Sequence, residues 1–253
     1  MRKIALVTGA TSGIGRAAAL ILAENNYDVI ITGRRSKLLR DTTQVIRDAT
    51  AADVLELVFD VRDNAQVMQY LGNLEGKWNQ VDVLINNAGL ASGLSPIHEG
   101  DIADWEKMID TNIKGLLYVT RAISPGMVEH GSGHIVNIGS IAGKEVYENG
   151  NVYCATKHAV DALNKGMRTD LVDHNIKVTA INPGAVETEF SVVRFHGNKE
   201  KADQVYAGFT PLYAQDIAEA ILFAVTRPPH VNINDMLIMS TAQASSSKTV
   251  KTM

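Results

Sequence analysis

A chain of 253 residues is long enough for one α/β domain with a substantial core and short for two. Its 45% hydrophobic and 21% charged residues and formal net charge of -4 lie near globular averages, which argues against a disordered chain and against a basic nucleic-acid-binding surface. Cys154 is the sole cysteine, so no intramolecular disulfide or multi-cysteine metal site can form, which fits a reducing compartment; no metal is expected, and Cys154 reads as a small packing residue.

The first predicted strand, Ile4–Val7, is a short apolar run behind Met1-Arg2-Lys3, far short of a signal peptide's apolar region or a membrane span of about 20 residues. A cytoplasmic protein with no membrane partner is expected. Further strand-like runs follow at Val29–Thr32, Val54–Phe59, Val81–Ile85, His134–Ile138, Val178–Ile181 and Met236–Met239, separated by helical patterns such as Gly13–Glu24 and Ala65–Leu74. Such runs read as strands buried on both faces, hence a single α/β domain over 1–253 with a doubly wound, Rossmann-type parallel sheet of seven strands. The long connection 184–213 is expected to form a substrate lid, and the tail 245–253, with Ser245-Ser246-Ser247, to be loosely held.

The first strand runs into Thr8-Gly9-Ala10-Thr11-Ser12-Gly13-Ile14-Gly15, a turn suited to a dinucleotide pyrophosphate at a helix N-terminus. The second ends at Thr32-Gly33-Arg34-Arg35, with no carboxylate to hold a ribose 2'-hydroxyl and two guanidiniums for a 2'-phosphate, so NADP is expected over NAD. Asp60-Val61 after the third strand is a candidate adenine contact, and Asn86-Asn87-Ala88-Gly89 after the fourth lets a ribose approach through Asn87, Ala88 and Gly89. For these two stretches, turn chemistry alone is an equal alternative.

The chemistry is expected at Tyr153 and Lys157. They are i and i+4 on a predicted helix, so the ammonium stands near the phenol. Lowering a phenol pKa of about 10 by two units needs roughly 2.7 kcal/mol of differential stabilisation, which tunes Tyr153 as a general acid/base. Ser140, at the end of a strand, is a donor to the substrate oxygen; Asn112 holds either a water or a backbone kink in a proton relay to Lys157.

Together these residues resemble the short-chain dehydrogenase/reductase family from about Ile4 to Gln243, in order and in spacing. The resemblance implies the strand order 3-2-1-4-5-6-7, cofactor binding before substrate, Lys157 also on the nicotinamide ribose, and Pro183-Gly184-Ala185-Val186-Glu187-Thr188 along the nicotinamide, with Pro183, Gly184, Val186 and Thr188 as contacts. It also implies a homo-oligomer, commonly a tetramer, in which Ile113, Leu116, Leu117 and Val119 face a partner; buried core is an equal reading of those four. Within the family, the stretches 104–112, 188–195 and 230–233 resemble NADP-dependent 3-hydroxy acid dehydrogenases acting on serine, allo-threonine or 3-hydroxypropionate. Ser240 departs from that branch, where proline is usual. The expected activity is hydride transfer between NADP(H) and a small 3-hydroxy acid, with Arg194 on its carboxylate and Glu145 and Tyr147 lining the same pocket; a surface arginine covering the lid with its methylene stem is an equal reading of Arg194. A broad NADPH-dependent carbonyl reductase and a non-catalytic NADP(H)-binding sensor are the alternatives.

Overall fold

The computed structural model describes residues 2–252; Met1 and Met253, the outer ends of the expected domain and tail, lie outside the described residues. The chain alternates strands and helices: β1 Lys3–Thr8, α1 Gly13–Glu24, β2 Tyr27–Gly33, α2 Ser36–Ala49, β3 Val54–Val58, α3 Asn64–Leu71, β4 Val83–Asn86, α4 Ile102–Ile109, α5 Leu116–His130, β5 Gly133–Ile138, α6 Asn151–Leu171 and β6 Ile176–Pro183. After β6 come β7 Val186–Glu187, α7 Phe190–Arg194, α8 Lys199–Tyr206, β8 Leu212–Tyr213, α9 Ala214–Val225 and β9 Asp235–Ile238.

Six of the seven apolar runs become strands with both faces covered; the exception to the expectation is the edge strand β9, where Met236 and Ile238 pack on a core and Leu237 is half exposed, because no helix among the described residues covers its outer face. In β1, Ala5 and Val7 enter a core shared with Leu22 of α1 and Ile217 and Ile221 of α9, while Ile4 and Leu6 enter the opposite core with Ile123 and Met127 of α5. β2 divides in the same way, Val29 and Ile31 to one side and Ile30 to the other, as a two-residue period requires. The seven strands are all parallel in the order β3-β2-β1-β4-β5-β6-β9. This is the expected order and a single Rossmann-like α/β domain, with β9 as the seventh strand of the sheet. β7 and β8 form a separate parallel pair inside the long connection.

Parallel strands with right-handed crossovers bring all their carboxyl ends to one edge, where ligands of this architecture bind. Between α4 and α5 the helix widens into a π-helical turn, Asp110–Gly115, which buries Thr111 and Asn112. Of the four residues with two readings, Leu116 and Val119 are core and Leu117 is exposed. The tail bends back on itself, Val250 N–H donating to the Ala242 carbonyl at 2.8 Å, and Thr252 N–H reaches the Gly208 carbonyl at 2.8 Å. Among the described residues, no helix is long and apolar enough to cross a membrane.

Candidate active site

A cleft of about 590 Å³ opens at the carboxyl edge of the sheet. Gly9, Thr11, Ser12, Gly13 and Ile14 line one end of it. Gly9 and Gly13 have left-handed backbone, at φ 68° and 52°. A Cβ on Gly15 would stand 2.4 Å from the Gly9 carbonyl oxygen, so this glycine serves the approach of α1 to the turn and does not line the cleft. Ser12 caps α1 without a side-chain hydrogen bond, and the first turn of the helix carries no acidic residue, which leaves its amides free for an anion. The Thr8 hydroxyl accepts from Asn87 and Ala88 N–H at 3.0 and 2.9 Å, and the Asn87 amide donates to the Thr8 and Gly9 carbonyls. These bonds stitch the Asn87-Ala88-Gly89 turn to the glycine-rich turn.

Both arginines line the cleft. Arg35 donates to the hydroxyls of Thr11 and Ser12 at 2.9 and 2.8 Å and to Glu189 at 2.8 Å; Arg34 lies 3.6 Å from Asp60. Burial works to raise the Asp60 pKa, but hydrogen bonds from Arg62 and the charge of Arg34 hold its carboxyl below the usual range. Free helix N-terminal amides, glycine approach and two cations at the end of β2 fit a dinucleotide with a 2'-phosphate.

Ser140, Tyr153 and Lys157 meet at the centre of the cleft. Ser140 follows β5, and its Oγ accepts from Ala142 N–H at 3.1 Å, which leaves the hydroxyl hydrogen free to donate. Tyr153 and Lys157 lie in the first and second turns of α6 and are 8% and 7% exposed. The Lys157 ammonium donates to the Ile138 carbonyl at 2.8 Å, and burial pushes its pKa down to about 8. Here the electrostatic expectation needs correction: burial raises the Tyr153 phenol above its ordinary value, and the influences that lower it are the Arg194 charge and a Ser140 hydrogen bond, not the Lys157 charge. Helical spacing gives a shared face; it does not say where a flexible ammonium finds its partner.

Asn112 does not line the cleft. Its Oδ1 accepts from Leu90 N–H and its amide donates to the Leu90 carbonyl, both at 2.8 Å, and to Thr156 Oγ1 at 3.0 Å. Asn112 lies in the π-helical turn and pins it to the segment behind Gly89.

At the substrate end, Arg194 stands among three aromatic rings. Its guanidinium carbon is 4.9 Å from the centroid of Tyr153, 5.3 Å from Phe190 and 5.7 Å from Tyr147. Nη2 donates to the Tyr147 hydroxyl at 2.6 Å, and Nε is buried without a partner. Glu145 does not line the cleft; its carboxylate accepts from Ser246 N–H at 2.8 Å. Pro183, Gly184, Val186 and Thr188 line the wall beyond β6, as do Asp60 and Val61 at the other end.

Sequence reasoning missed Phe190, Tyr206 and the tail residues Gln243, Ser246 and Lys251, all of which line the cleft. Phe190 was within reach, because it is i-4 from Arg194 on a short helix. The tail carried no such signal. It turns inward because Gln243 N–H bonds the carbonyl of Ser240, at 2.9 Å, and the Gln243 side chain accepts from Ala185 N–H at 2.8 Å. Ser240 is buried there, its hydroxyl without a partner.

The sequence profile of the family described as short chain dehydrogenase matches residues 3–199. The chain belongs to the short-chain dehydrogenase family. It is 48% identical over 242 residues to an NADP-dependent 3-hydroxy acid dehydrogenase of Salmonella typhi, an alignment that covers 95% of this chain and 96% of the relative. It is 43% identical over 249 residues to sulfoacetaldehyde reductase 2 of Chromohalobacter salexigens, covering 96% of each chain. Among solved structures, the closed form of a serine dehydrogenase complexed with NADP+ superimposes with a TM-score of 0.92 at 43% identity, covering 99% of this chain and 100% of the other.

Proposed function

We propose that the chain is an NADP-dependent dehydrogenase/reductase that interconverts a small 3-hydroxy acid, of the serine, allo-threonine or 3-hydroxypropionate kind, with its carbonyl form. The observation that carries the substrate assignment is the Arg194 guanidinium, boxed by aromatic rings beside Tyr153 and Ser140 with one N–H unspent. A guanidinium held against aromatic rings binds a carboxylate through charge-assisted bonds and orients it through a planar fork.

The cofactor, when bound, accepts or supplies the hydride. The turn Gly9–Gly15 and the N-terminus of α1 would hold its pyrophosphate, Arg34 and Arg35 its 2'-phosphate, and Asp60, Val61, Asn87, Ala88 and Gly89 its adenosine half. Lys157 and the wall Pro183, Gly184, Val186 and Thr188 would hold the nicotinamide half. In the reducing direction Tyr153 gives its phenolic proton to the substrate carbonyl oxygen while Ser140 donates a hydrogen bond to the same oxygen; in oxidation the proton returns to Tyr153. Asn112 fixes the backbone of Leu90 behind this centre. Segment 184–213 covers the substrate as a lid, and residues 245–252 form a strap that pins Glu145. The protein works in the cytoplasm as a homotetramer, with the exposed Leu117 of α5 available for a subunit contact.

A substrate bearing a sulfonate in place of the carboxylate is the second reading, favoured by the likeness to the sulfoacetaldehyde reductase and by the same arginine. The test follows NADPH absorbance across 3-hydroxy acids, hydroxy-amino acids, a sulfonated aldehyde and simple carbonyls, in wild type and in Arg194→Met. The 3-hydroxy acid is expected to be preferred, and Arg194→Met to lose about tenfold or more on the acid relative to a matched alcohol, following about 1.4 kcal/mol per decade. Parallel losses on both would leave a broad carbonyl reductase.

A further inference from the structure

The segment that carries Arg194 is tied to the far wall of the site at two points. α7 ends at Arg194, and the chain then turns through left-handed backbone at His196, φ 53°, and Gly197, φ 88°. This turn presents the His196 ring to Asp104 of α4, Nε2 to Oδ2 at 3.0 Å. The Arg194 carbonyl accepts from Gly93 N–H at 3.0 Å. Asp104 is itself held, since its Oδ1 accepts from the Ser92 hydroxyl at 2.6 Å, and Lys107 reaches that hydroxyl at 3.5 Å. A small cavity of about 90 Å³ lies behind Tyr153 and Arg194, with Asp104, Glu99 and Asp101 on its wall. Asp104, Glu99, Asp101 and Lys107 are thus the charged groups that the neighbouring chain brings to this corner, and Arg194 is the cation on the histidine's own element.

α7 has five residues, too few to be stable by its own hydrogen bonds, so the direction of the Arg194 side chain depends on how the segment is docked. The Asp104 carboxylate is only 13% exposed whereas His196 is 56% exposed. The carboxylate therefore keeps a fixed place, and the histidine reaches it from the solvent side.

We propose that His196 is a positioning residue: its pairing with Asp104 latches Arg194 over the site and so sets the affinity for anionic substrates. The proposal rests on the reading of Arg194 as the carboxylate anchor. With the pair in place the segment is held closed. Without it the competent orientation of Arg194 is less populated, which weakens apparent binding in proportion.

The experiment compares wild type, His196→Lys and His196→Ala at one pH. Two quantities are read: KM for a 3-hydroxy acid relative to a matched alcohol, and amide hydrogen exchange across residues 190–198. For an exposed pair the expected change is about two- to fivefold in relative KM. In His196→Ala, which leaves Asp104 without the pair, relative KM rises by that factor while the kcat ratio stays constant. His196→Lys, which can pair with Asp104 again, keeps the low value. Exchange is faster in His196→Ala than in wild type and His196→Lys. If His196→Ala keeps the wild-type relative KM, or if the three proteins exchange alike, the latch is refuted. Retention of the acid preference by Arg194→Met would remove the substrate reading and the proposal with it, while the exchange order would still report whether the segment is latched.

Discussion

Cofactor choice is the most direct test of the arginine pair that follows β2. Arg35 is shared among Glu189, Thr11 and Ser12, and Arg34 pairs with Asp60, with both arginine side chains about half exposed. A guanidinium bonded to a phosphate contributes about 1.5–3 kcal/mol, and the exposed pairs it leaves are worth only about 0.2–1 kcal/mol, so each arginine nets roughly 0.5–2.8 kcal/mol. Two residues on one phosphate are not additive, which puts the loss for Arg34→Ala/Arg35→Ala near the lower end of the sum, about 2 kcal/mol or roughly 30-fold in NADPH affinity. NADH, with no 2'-phosphate, should weaken less than about threefold. The structure adds a sign that the sequence alone does not. Glu189 competes for Arg35, so Glu189→Gln should tighten NADPH by about two- to fivefold. Fluorescence titration with both cofactors reads all of these constants. Equal losses for NADPH and NADH in the double variant, or weaker NADPH binding in Glu189→Gln, would refute the assignment.

Two further outcomes concern the centre and the core. Tyr153→Phe should keep NADPH affinity and lose well over tenfold in turnover, since a retained tenth of the rate would leave it no more than about 1.4 kcal/mol of the barrier; single-turnover absorbance measures it. His134, whose Nε2 lies 2.7 Å from Thr179 Oγ1, has its pKa pushed down to about 3 by burial and, secondarily, by the Lys177 charge. The unfolded chain takes up that proton below about pH 6.5 and the folded one does not until about pH 3, so stability is full above pH 6.5 and falls as pH drops through that window. About 2–3 kcal/mol should be lost between pH 7 and 4.5, read by urea unfolding, and His134→Val should flatten that part of the profile; an unchanged slope in the variant would exclude His134 as its source.

The fold was legible because its signals are local. Seven apolar runs of strand length, six of them divided between two cores, announce a parallel sheet covered on both faces except at the β9 edge, and observed strands such as Lys3–Thr8 and Ile176–Pro183 extend the expected runs by only a residue or two at either end. The cofactor end of the cleft was legible for a related reason: the glycines at 9, 13 and 15 answer to backbone geometry and close approach that no other residue provides. What stayed hidden depends on contacts distant in sequence. Nothing in Ser245-Ser246-Ser247 signals that Ser246 will cap Glu145, 101 residues away, or that Gln243 will bind the backbone after β6. Asn112 was named with its role open, because only the folded chain reveals that both ends of its amide are spent on Leu90, behind the cleft and not in it.

The electrostatics of Tyr153 could not be read from spacing either, and this bears on how the substrate experiment is interpreted. Burial acts on phenol and ammonium alike, driving each toward its neutral form, so Tyr153 is raised and Lys157 lowered. The cation that offsets burial of the phenol is Arg194, the residue assigned to the substrate carboxylate. Removing Arg194 therefore does two things at once: it takes an anchor from the acid, and it takes a positive charge from the proton donor. The second effect falls on every substrate, charged or not, because it belongs to Tyr153. The first falls on the acid alone. A lower rate in Arg194→Met is accordingly expected under any reading of this site, and only the ratio between the acid and the matched alcohol separates an anchor from a residue that merely tunes the phenol.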